Sequence, residues 1–222
     1  MFDYILFDLD GTLTDSAPGI TSCVEYALSK FGIKVADRAE LKKFIGPPLA
    51  YSFKAFFGLS DEEAKQATEY YRERFSVTGL FENGLYGGIE KMLKELTESG
   101  KKLFVATGKP EIYTERILEH FGVSKYFTGV FGNTLDDKRP GKREIISAVL
   151  DFCPEIRTNL DPRGANAVMV GDRCFDVIGA HELGLPVIYV TYGYGNEAER
   201  KAFQPEYTAD TVAALGQLLL QA

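Results

Sequence analysis

The chain opens with the stretch Tyr-Ile-Leu-Phe-Asp-Leu-Asp-Gly-Thr-Leu-Thr, residues 4–14. Its first four residues are apolar, as is typical of a strand buried on both faces of a parallel sheet. Asp8 and Asp10 follow two positions apart, a spacing that places both carboxylates on one side of an extended strand. Because open α/β sheets bind ligands at the carboxyl ends of their strands, this position predicts a functional site. A solvated turn around Gly11 is the alternative interpretation.

Length and composition describe a globular protein. The 222 residues can form one large domain or two smaller ones, and 45% of them are apolar. A net charge of -7 argues against nonspecific binding to nucleic acid or to an anionic membrane. The three cysteines are not at metal-ligand spacing and favour a reducing compartment. Because Met1 leads directly into strand-like sequence, with no signal-like or bilayer-spanning run, we expect a soluble cytoplasmic protein.

The segment after the first strand has helical patterns only. Apolar residues recur at helical spacing after Ser16, which we expect to cap a first helix with Pro18 in its first turn. Ser60 and Glu63 predict a capping box for a later helix. The predicted domains are a helical cap, residues 16–83, and an α/β core, residues 1–15 and 84–222.

Strands and helices alternate in the remainder of the chain. Short apolar runs predict four further strands, at residues 103–106, 130–131, 167–170 and 186–190. Alternation with helical patterns is typical of a doubly wound parallel sheet. Residues 151–165 are polar and hold two prolines and a glycine, so we expect a surface loop there. The predicted fold class is α/β, a Rossmann-like doubly wound core with the helical cap inserted after the first strand.

Polar residues stand at the ends of four predicted strands. They are Asp8, Thr107, Asn133 and Asp172. Since the carboxyl ends of parallel strands meet at one edge of a sheet, we expect these residues to line one crevice. Asp8 and Asp172, together with Asp10 and Asp176, would form a cluster of oxygen ligands only. Such a cluster suits magnesium better than zinc. For Asp176, an ordinary acid at a helix start is the alternative interpretation.

Such a crevice is suited to phosphoryl transfer. One carboxylate can attack phosphorus and form an aspartyl-phosphate. A second carboxylate can protonate the leaving alcohol and later activate water. Thr107 and a lysine would then hold the phosphoryl oxygens. The alternatives are a plain turn at Thr107-Gly108 and a solvated Lys142 at the start of a helix.

Several segments, in order along the chain, resemble the motifs of the haloacid dehalogenase superfamily. Asp8–Thr14 resembles the first motif, Val105–Pro110 the second and Val170–Asp176 the fourth. The third motif is a lysine, for which Lys142 fits best by its distance before a helix and Lys138 is the alternative. Two more segments resemble the phosphoglycolate phosphatase-like branch of this superfamily, namely Ile45–Leu49 and Tyr192–Gly195.

The resemblance implies a role for each of these residues. Asp8 would be the nucleophile, and Asp10 the general acid/base whose main-chain carbonyl also binds magnesium. Thr107 and Lys142 would bind the phosphoryl group. The implied magnesium site consists of Asp8, Asp10, Asp172 and Asp176, the last either as a direct ligand or as a residue that contacts the ligands. The expected substrate contacts further include Gly108 and, in the cap, Gly46 and Pro47.

Together these observations predict a magnesium-dependent phosphatase that hydrolyses a small phosphorylated metabolite. Asp10 disfavours dehalogenation, since the dehalogenases of the superfamily lack that acid. The alternatives are a phosphoryl-transferring mutase of the β-phosphoglucomutase type and a non-catalytic module that binds phosphate and magnesium. Phosphoglycolate, a nucleoside monophosphate, a sugar phosphate, pyrophosphate and phosphotyrosine all stay open as substrates. The oligomeric state, monomer or dimer, stays open as well.

Overall fold

A computed structural model describes residues 2–158 and 165–221 of the chain. The chain forms two compact units, one made of Met1–Thr14 and Leu85–Ala222 and the other of Asp15–Gly84. The expectation of a loop from residue 151 is wrong at its start, because a helix runs from Lys142 to Phe152. Phe152 prolongs that helix by packing against the rings of Phe104 and Phe131. Residues 159–164 of the same expected loop lie outside the described residues.

The unit that contains the chain start is built on a parallel sheet. The described strands are β1 (Tyr4–Phe7), β2 (Thr14–Asp15), β3 (Gly84–Leu85), β4 (Lys102–Pro110), β5 (Phe127–Asn133), β6 (Ala167–Gly171), β7 (Val187–Val190) and β8 (Tyr207–Ala209). Six of them form one parallel sheet in the order β5-β4-β1-β6-β7-β8, and β2 pairs with β3 in a separate two-stranded sheet. Strand β1 lies centrally, which explains why Ile5, Leu6 and Phe7 are fully buried. The strand order reverses between β1 and β6, the place where such sheets bind ligands.

The helices are α1 (Ala17–Ser29), α2 (Leu49–Phe57), α3 (Asp61–Phe75), α4 (Ile89–Glu98), α5 (Glu111–His120), α6 (Lys142–Phe152), α7 (Cys174–His181), α8 (Glu197–Phe203) and α9 (Val212–Gln221). Helices α4 to α9 belong to the unit that holds the six-stranded sheet. Helix α6 packs on α7 and on β4. One hydrophobic core cluster includes Leu6, Phe104, Ile146, Met169 and Val177. The prediction of a doubly wound parallel α/β sheet is confirmed.

The second unit, Asp15–Gly84, is helical. It contains α1, α2, α3 and a 3₁₀ segment over Arg38–Phe44, and α1 packs on α3 and on that segment. The predicted capping box is confirmed, since Ser60 Oγ accepts from the N–H of Glu63, whose carboxylate accepts from the N–H of Ser60. Ser16 occupies the N-cap position of α1 and Pro18 lies in the first turn, as predicted, but the Ser16 hydroxyl makes no capping hydrogen bond. Instead the Asp15 carboxylate accepts a bond of 3.3 Å from the N–H of Ala17.

Two elements of the sheet unit have no counterpart in the sequence-based prediction. Helix α8 contains no buried residue, so it lacks the apolar stripe from which a helix is recognised. Strand β8 has three residues and, among the described strands, pairs with β7 alone at the edge of the sheet. In the part of the chain that the structure describes, no helix combines the length and the apolarity needed to cross a bilayer.

Candidate active site

Three buried carboxylates meet where the strand order reverses. Asp8 directly follows β1, and its N–H continues the sheet by donating to the carbonyl of Val170 at 2.9 Å. Asp172 follows β6, and Asp176 lies in the first turn of α7. One oxygen from each of these three acids lies within 4.8 Å of the others, and all three residues are buried. The structure therefore brings together three of the predicted site acids.

Glycines let the backbone approach these acids closely. Gly11 has a φ of 87°, and a Cβ atom there would lie 2.2 Å from Oδ2 of Asp172. A Cβ atom on Gly193 would lie 2.4 Å from the same oxygen, and one on Gly171 would lie 2.2 Å from the Asp176 carboxylate. Any larger residue at these positions would displace a site carboxylate.

Lys142 joins two of the acids. Its Nζ atom donates to Oδ1 of Asp8 at 2.7 Å and to the carbonyl of Ala106 at 2.9 Å. It also forms an ion pair with Oδ1 of Asp176 at 2.7 Å. Burial by itself lowers the pKa of Lys142, but Asp176 and Asp8 outweigh this effect and hold the pKa above its ordinary value, so the ammonium stays charged.

The alternative lysine lies elsewhere. Lys138 is exposed and pairs with Asp136 at 2.7 Å. Lys142, by contrast, is the first residue of α6, and its side chain is 7% exposed. Of the two lysines left open by the sequence, Lys142 is the one that lies against Asp8.

The Asp10 carboxylate pairs with a lysine of the neighbouring strand β4. Its Oδ2 atom lies 2.9 Å from Nζ of Lys109, whose side chain is only 5% exposed. The Asp10 carboxylate is therefore paired with Lys109 and is not part of the Asp8, Asp172 and Asp176 cluster. Lys109 lies within the segment Val105–Pro110 that resembles the second motif, but the resemblance implies no role for it. The available signal was its spacing of two from Thr107 on an extended strand, which places both side chains on one side.

The remaining predicted residues divide between the two units. Thr107 is buried on β4, and its Oγ1 accepts from the N–H of Lys109 at 3.3 Å. Gly108 is exposed between them. Asn133 is occupied in its own loop, where its Oδ1 accepts from the N–H groups of Thr134 and Arg139. The other two predicted substrate contacts lie in the helical unit, where Gly46 is exposed and Pro47 is half-buried.

The loop after β7 also contacts the acids. The N–H of Tyr194 donates to Oδ2 of Asp172 at 2.6 Å, and the Tyr192 hydroxyl donates to the carbonyl of Thr12 at 3.0 Å. In the sequence, this segment stands out only by its resemblance to a family branch. The structure shows that it holds Asp172 and the turn after β1.

The charges of the site favour a cation. Four carboxylates (Asp8, Asp10, Asp172 and Asp176) are accompanied by two ammonium groups (Lys109 and Lys142). Burial, together with the nearby Asp176 and Asp8, raises the pKa of Asp172 well above its ordinary value. Burial also raises the pKa of Asp176 to about 6, although Lys142 opposes the shift. The carboxyl groups are thus short of positive charge.

Single oxygen atoms of these carboxylates also favour a bound cation. Oδ1 of Asp172 and Oδ1 of Asp10 are buried, and neither has a hydrogen-bond partner among the described residues. Leaving a charged oxygen buried and unpaired is costly. A hard divalent cation such as Mg²⁺, which prefers oxygen ligands, would satisfy the cluster. The residues present therefore fit a magnesium ion.

Comparison with known proteins decides the family. The sequence profile of the haloacid dehalogenase-like hydrolases matches residues 5–190 of the chain. The chain belongs to that family. Among curated relatives of this haloacid dehalogenase-like hydrolase, a 5'-nucleotidase of Pseudomonas aeruginosa is 42% identical over 97% of this chain and 94% of its own length. A phosphoglycolate phosphatase of Vibrio vulnificus is 29% identical over 97% of this chain and 95% of its own.

The same relationship is seen among solved structures. A predicted phosphatase from Clostridium acetobutylicum superposes with a TM-score of 0.92 and 42% identity, with both chains covered completely. The prediction of a phosphatase-type enzyme of the haloacid dehalogenase-like hydrolases is confirmed at the level of family and reaction class.

Proposed function

We propose that this protein is a magnesium-dependent phosphatase that hydrolyses a small phosphomonoester through an aspartyl-phosphate on Asp8. One observation carries the proposal: Asp8, Asp172 and Asp176 offer buried oxygens within 4.8 Å of one another. Lys142 contacts Asp8 and Asp176 at the same place. A nucleophile, a cation site and a fixed positive charge are what phosphoryl transfer requires.

The cation site would be formed by Asp8, Asp172 and Asp176, with the main-chain carbonyl of Asp10 as the further ligand implied by the resemblance. Bound magnesium would supply positive charge that offsets the repulsion between the nucleophile and the phosphate oxygens. The remaining chemistry belongs to the side chains of this chain.

Asp8 attacks the phosphorus, and the bond from phosphorus to the ester oxygen breaks. Asp10, in its acid form, gives its proton to that departing oxygen, so the organic product leaves as an alcohol. In the second half, Asp10 takes a proton from a water molecule that attacks the phosphorus, and Asp8 regains its carboxylate. Lys142 and Thr107 hold the phosphoryl oxygens in both halves.

Lys142 is well placed for this role. Its hydrogen bonds to Asp8 and to the carbonyl of Ala106 fix the ammonium beside the nucleophile. Burial removes competing water, which strengthens the attraction between the ammonium and a phosphoryl oxygen. Thr107 comes from the adjoining strand β4, which pairs with β1.

The comparisons favour one of the open substrate classes. The 5'-nucleotidase of P. aeruginosa shares 42% identity over nearly the whole chain, against 29% for the phosphoglycolate phosphatase of V. vulnificus. We therefore propose nucleoside 5'-monophosphates as the first substrates to test. Gly46, Pro47 and Gly108 remain the proposed contacts to the organic part of the substrate.

Release of inorganic phosphate tests this proposal. The panel contains nucleoside 5'-monophosphates, phosphoglycolate, a hexose phosphate, pyrophosphate and phosphotyrosine, each with Mg²⁺ and with EDTA. We expect release that requires Mg²⁺, that EDTA abolishes and that excess Mg²⁺ restores, with the highest kcat/KM on a nucleotide. Folded protein that releases no phosphate from any compound contradicts the proposal. Isomerised hexose phosphate without free phosphate would indicate a mutase.

A further inference from the structure

The segment between two proposed magnesium ligands is held by its own backbone. Arg173 lies between Asp172 and Asp176 in sequence, at the residue that precedes helix α7. Its main-chain N–H donates to Oδ2 of Asp176 at 3.1 Å. The position of this one residue therefore influences the orientation of the Asp176 carboxylate.

The Arg173 side chain is directed to a glutamate that the proposed chemistry does not use. Its Nε and Nη2 atoms donate to the two oxygens of Glu199 at 3.1 and 3.0 Å. The two side chains are 15% and 19% exposed. Oε2 of Glu199 also accepts from the N–H of Cys174, one of the first-turn N–H groups of α7 that have no partner within the helix. A two-point contact of this kind fixes orientation as well as distance.

Glu199 is itself fixed by the loop that holds Asp172. Its N–H donates to Oδ1 of Asn196 at 3.0 Å, which caps the start of α8. Two residues before Asn196, the N–H of Tyr194 donates to Oδ2 of Asp172 at 2.6 Å. One short segment, residues 194–199, therefore contacts Asp172 at one end and the start of α7 at the other.

This segment packs tightly against Asp172, the residue after β6, and against Tyr189 on β7. A Cβ atom on Gly195 would lie 1.9 Å from the carbonyl oxygen of Asp172 and 1.9 Å from the Tyr189 hydroxyl. Only a glycine fits at this position, so the backbone of the segment lies directly against Asp172. Glu199 is thus linked to both acids, to Asp172 through its own segment and to Asp176 through Arg173.

We propose that the Arg173–Glu199 ion pair is a positioning device that sets the spacing of Asp172 and Asp176 and thereby the affinity for magnesium; this inference rests on the proposed function. Magnesium demands near-ideal octahedral geometry, so a small error in carboxylate spacing weakens binding. Partners that orient ligands from outside the coordination shell typically change metal affinity about 10- to 100-fold when mutated. Arg173 and Glu199 are positioning residues in this scheme, acting through the carboxylates of Asp172 and Asp176.

The test compares two glutamates on the same helix. Glu199→Gln keeps the size of the side chain and removes its charge. Glu197→Gln is the matched control, because Glu197 is exposed on α8 and pairs with the exposed Lys201 at 2.8 Å. Magnesium affinity is measured by titration calorimetry on metal-free protein, without substrate. We expect Glu199→Gln to weaken binding roughly 10-fold or more and Glu197→Gln to leave it unchanged.

Kinetics separate positioning from general loss of structure. With Glu199→Gln, the Mg²⁺ concentration for half-maximal rate should rise, whereas the KM for substrate at saturating Mg²⁺ should not. Arg173→Lys keeps the charge and loses the two-point contact, so it should weaken magnesium binding by less than Glu199→Gln does. This milder variant also serves if Glu199→Gln does not fold.

The outcomes distinguish this inference from the proposed function. If wild-type protein binds no Mg²⁺ in the calorimeter, both the proposed function and this inference are overturned. If wild-type protein binds Mg²⁺ and the folded Glu199 and Arg173 variants bind it equally well, only the positioning role is overturned. Weaker binding in these two variants, with the Glu197 control unchanged, supports it.

Discussion

Nζ of Lys109 lies 2.9 Å from Oδ2 of Asp10, and the lysine side chain is 5% exposed. Asp10 is thus paired with a lysine, whereas Asp8, Asp172 and Asp176 form a cluster of carboxylates. Oδ1 of Asp10 remains buried with no hydrogen-bond partner among the described residues. In the proposed mechanism Asp10 exchanges a proton with the departing oxygen, so its contact with Lys109 makes that lysine part of the candidate site.

Lys109→Met should impair the hydrolysis of poor leaving groups most. Without the ammonium, Asp10 loses its orientation, and we expect kcat on an alkyl phosphate to fall roughly 10- to 100-fold. p-Nitrophenyl phosphate needs little help from an acid, so its kcat should fall much less. Lys125→Met, at an exposed lysine, is the control. Equal losses on both substrates would contradict a role for Lys109 through Asp10.

Substitution of the two candidate lysines should have clearly different effects on kcat. Lys142→Met removes the ammonium that contacts Asp8 and Asp176, and we expect kcat to fall about 10²-fold or more. Lys138→Met removes only an exposed pair with Asp136 and should leave kcat within about twofold of wild type. Steady-state kinetics on both variants decides the assignment, which the reverse pattern would overturn.

Gly179 on α7 should be intolerant of a methyl group. A Cβ atom there would lie 2.8 Å from the N atom of Arg143 and 2.9 Å from Cβ of Lys142. Gly179→Ala therefore pushes on the start of α6, and we expect a loss of about 1–3 kcal/mol in the free energy of unfolding together with a lower kcat. Urea unfolding and kinetics provide the measurements.

Gly216→Ala is the control for that substitution. Gly216 also lies in a helix, α9, but its nearest neighbour is the flexible side chain of Met92 at 3.3 Å. Stability should change little there, because the gain of up to about 1 kcal/mol from alanine in a helix offsets the small shift required of the flexible Met92 side chain. Equal effects at the two glycines would show that the contact with Lys142 is unimportant.

Magnesium should stabilise the protein more at pH 8 than at pH 5.5. Burial and neighbouring acids raise the pKa of Asp172, and burial raises the pKa of Asp176 to about 6. In metal-free protein these groups therefore contribute most to stability when protonated, at low pH, and that contribution is lost as the pH rises through their folded pKa values. Mg²⁺ competes with those protons.

Thermal unfolding with and without Mg²⁺ measures this effect. The rise in Tm caused by Mg²⁺ should be small at pH 5.5 and larger at pH 8. An Asp172→Asn variant should show little rise at either pH, because one ligand carboxylate is missing. A rise in wild-type protein that does not depend on pH would contradict the assignment of the buried acids as the metal site.

The sequence predicts the sheet well where burial leaves a strong pattern. Strands β1 and β6 are apolar throughout because both faces are covered, and the acids that follow them could be placed at one sheet edge. Helix α8 and strand β8 could not be recognised in this way. The first has no buried residue, and the second has three residues at the sheet edge.

Which side chains form ion pairs within the site depends on the fold and could not be read from the sequence. Lys138 and Lys142 lie four residues apart, and only the position at the start of α6 brings Lys142 to Asp8. In the same way, the pairing of Lys109 with Asp10 joins two strand ends that are distant in sequence. The Arg173–Glu199 pair depends on a helix that the sequence pattern does not reveal.

The most direct test of the account is phosphate release by Asp8→Asn. The change keeps the size of the side chain and removes the nucleophile, so the fold should persist by circular dichroism. We expect release in the presence of Mg²⁺ to drop to background on the substrate that wild-type protein hydrolyses best. A folded Asp8→Asn protein that retains substantial turnover would contradict an aspartyl-phosphate on Asp8.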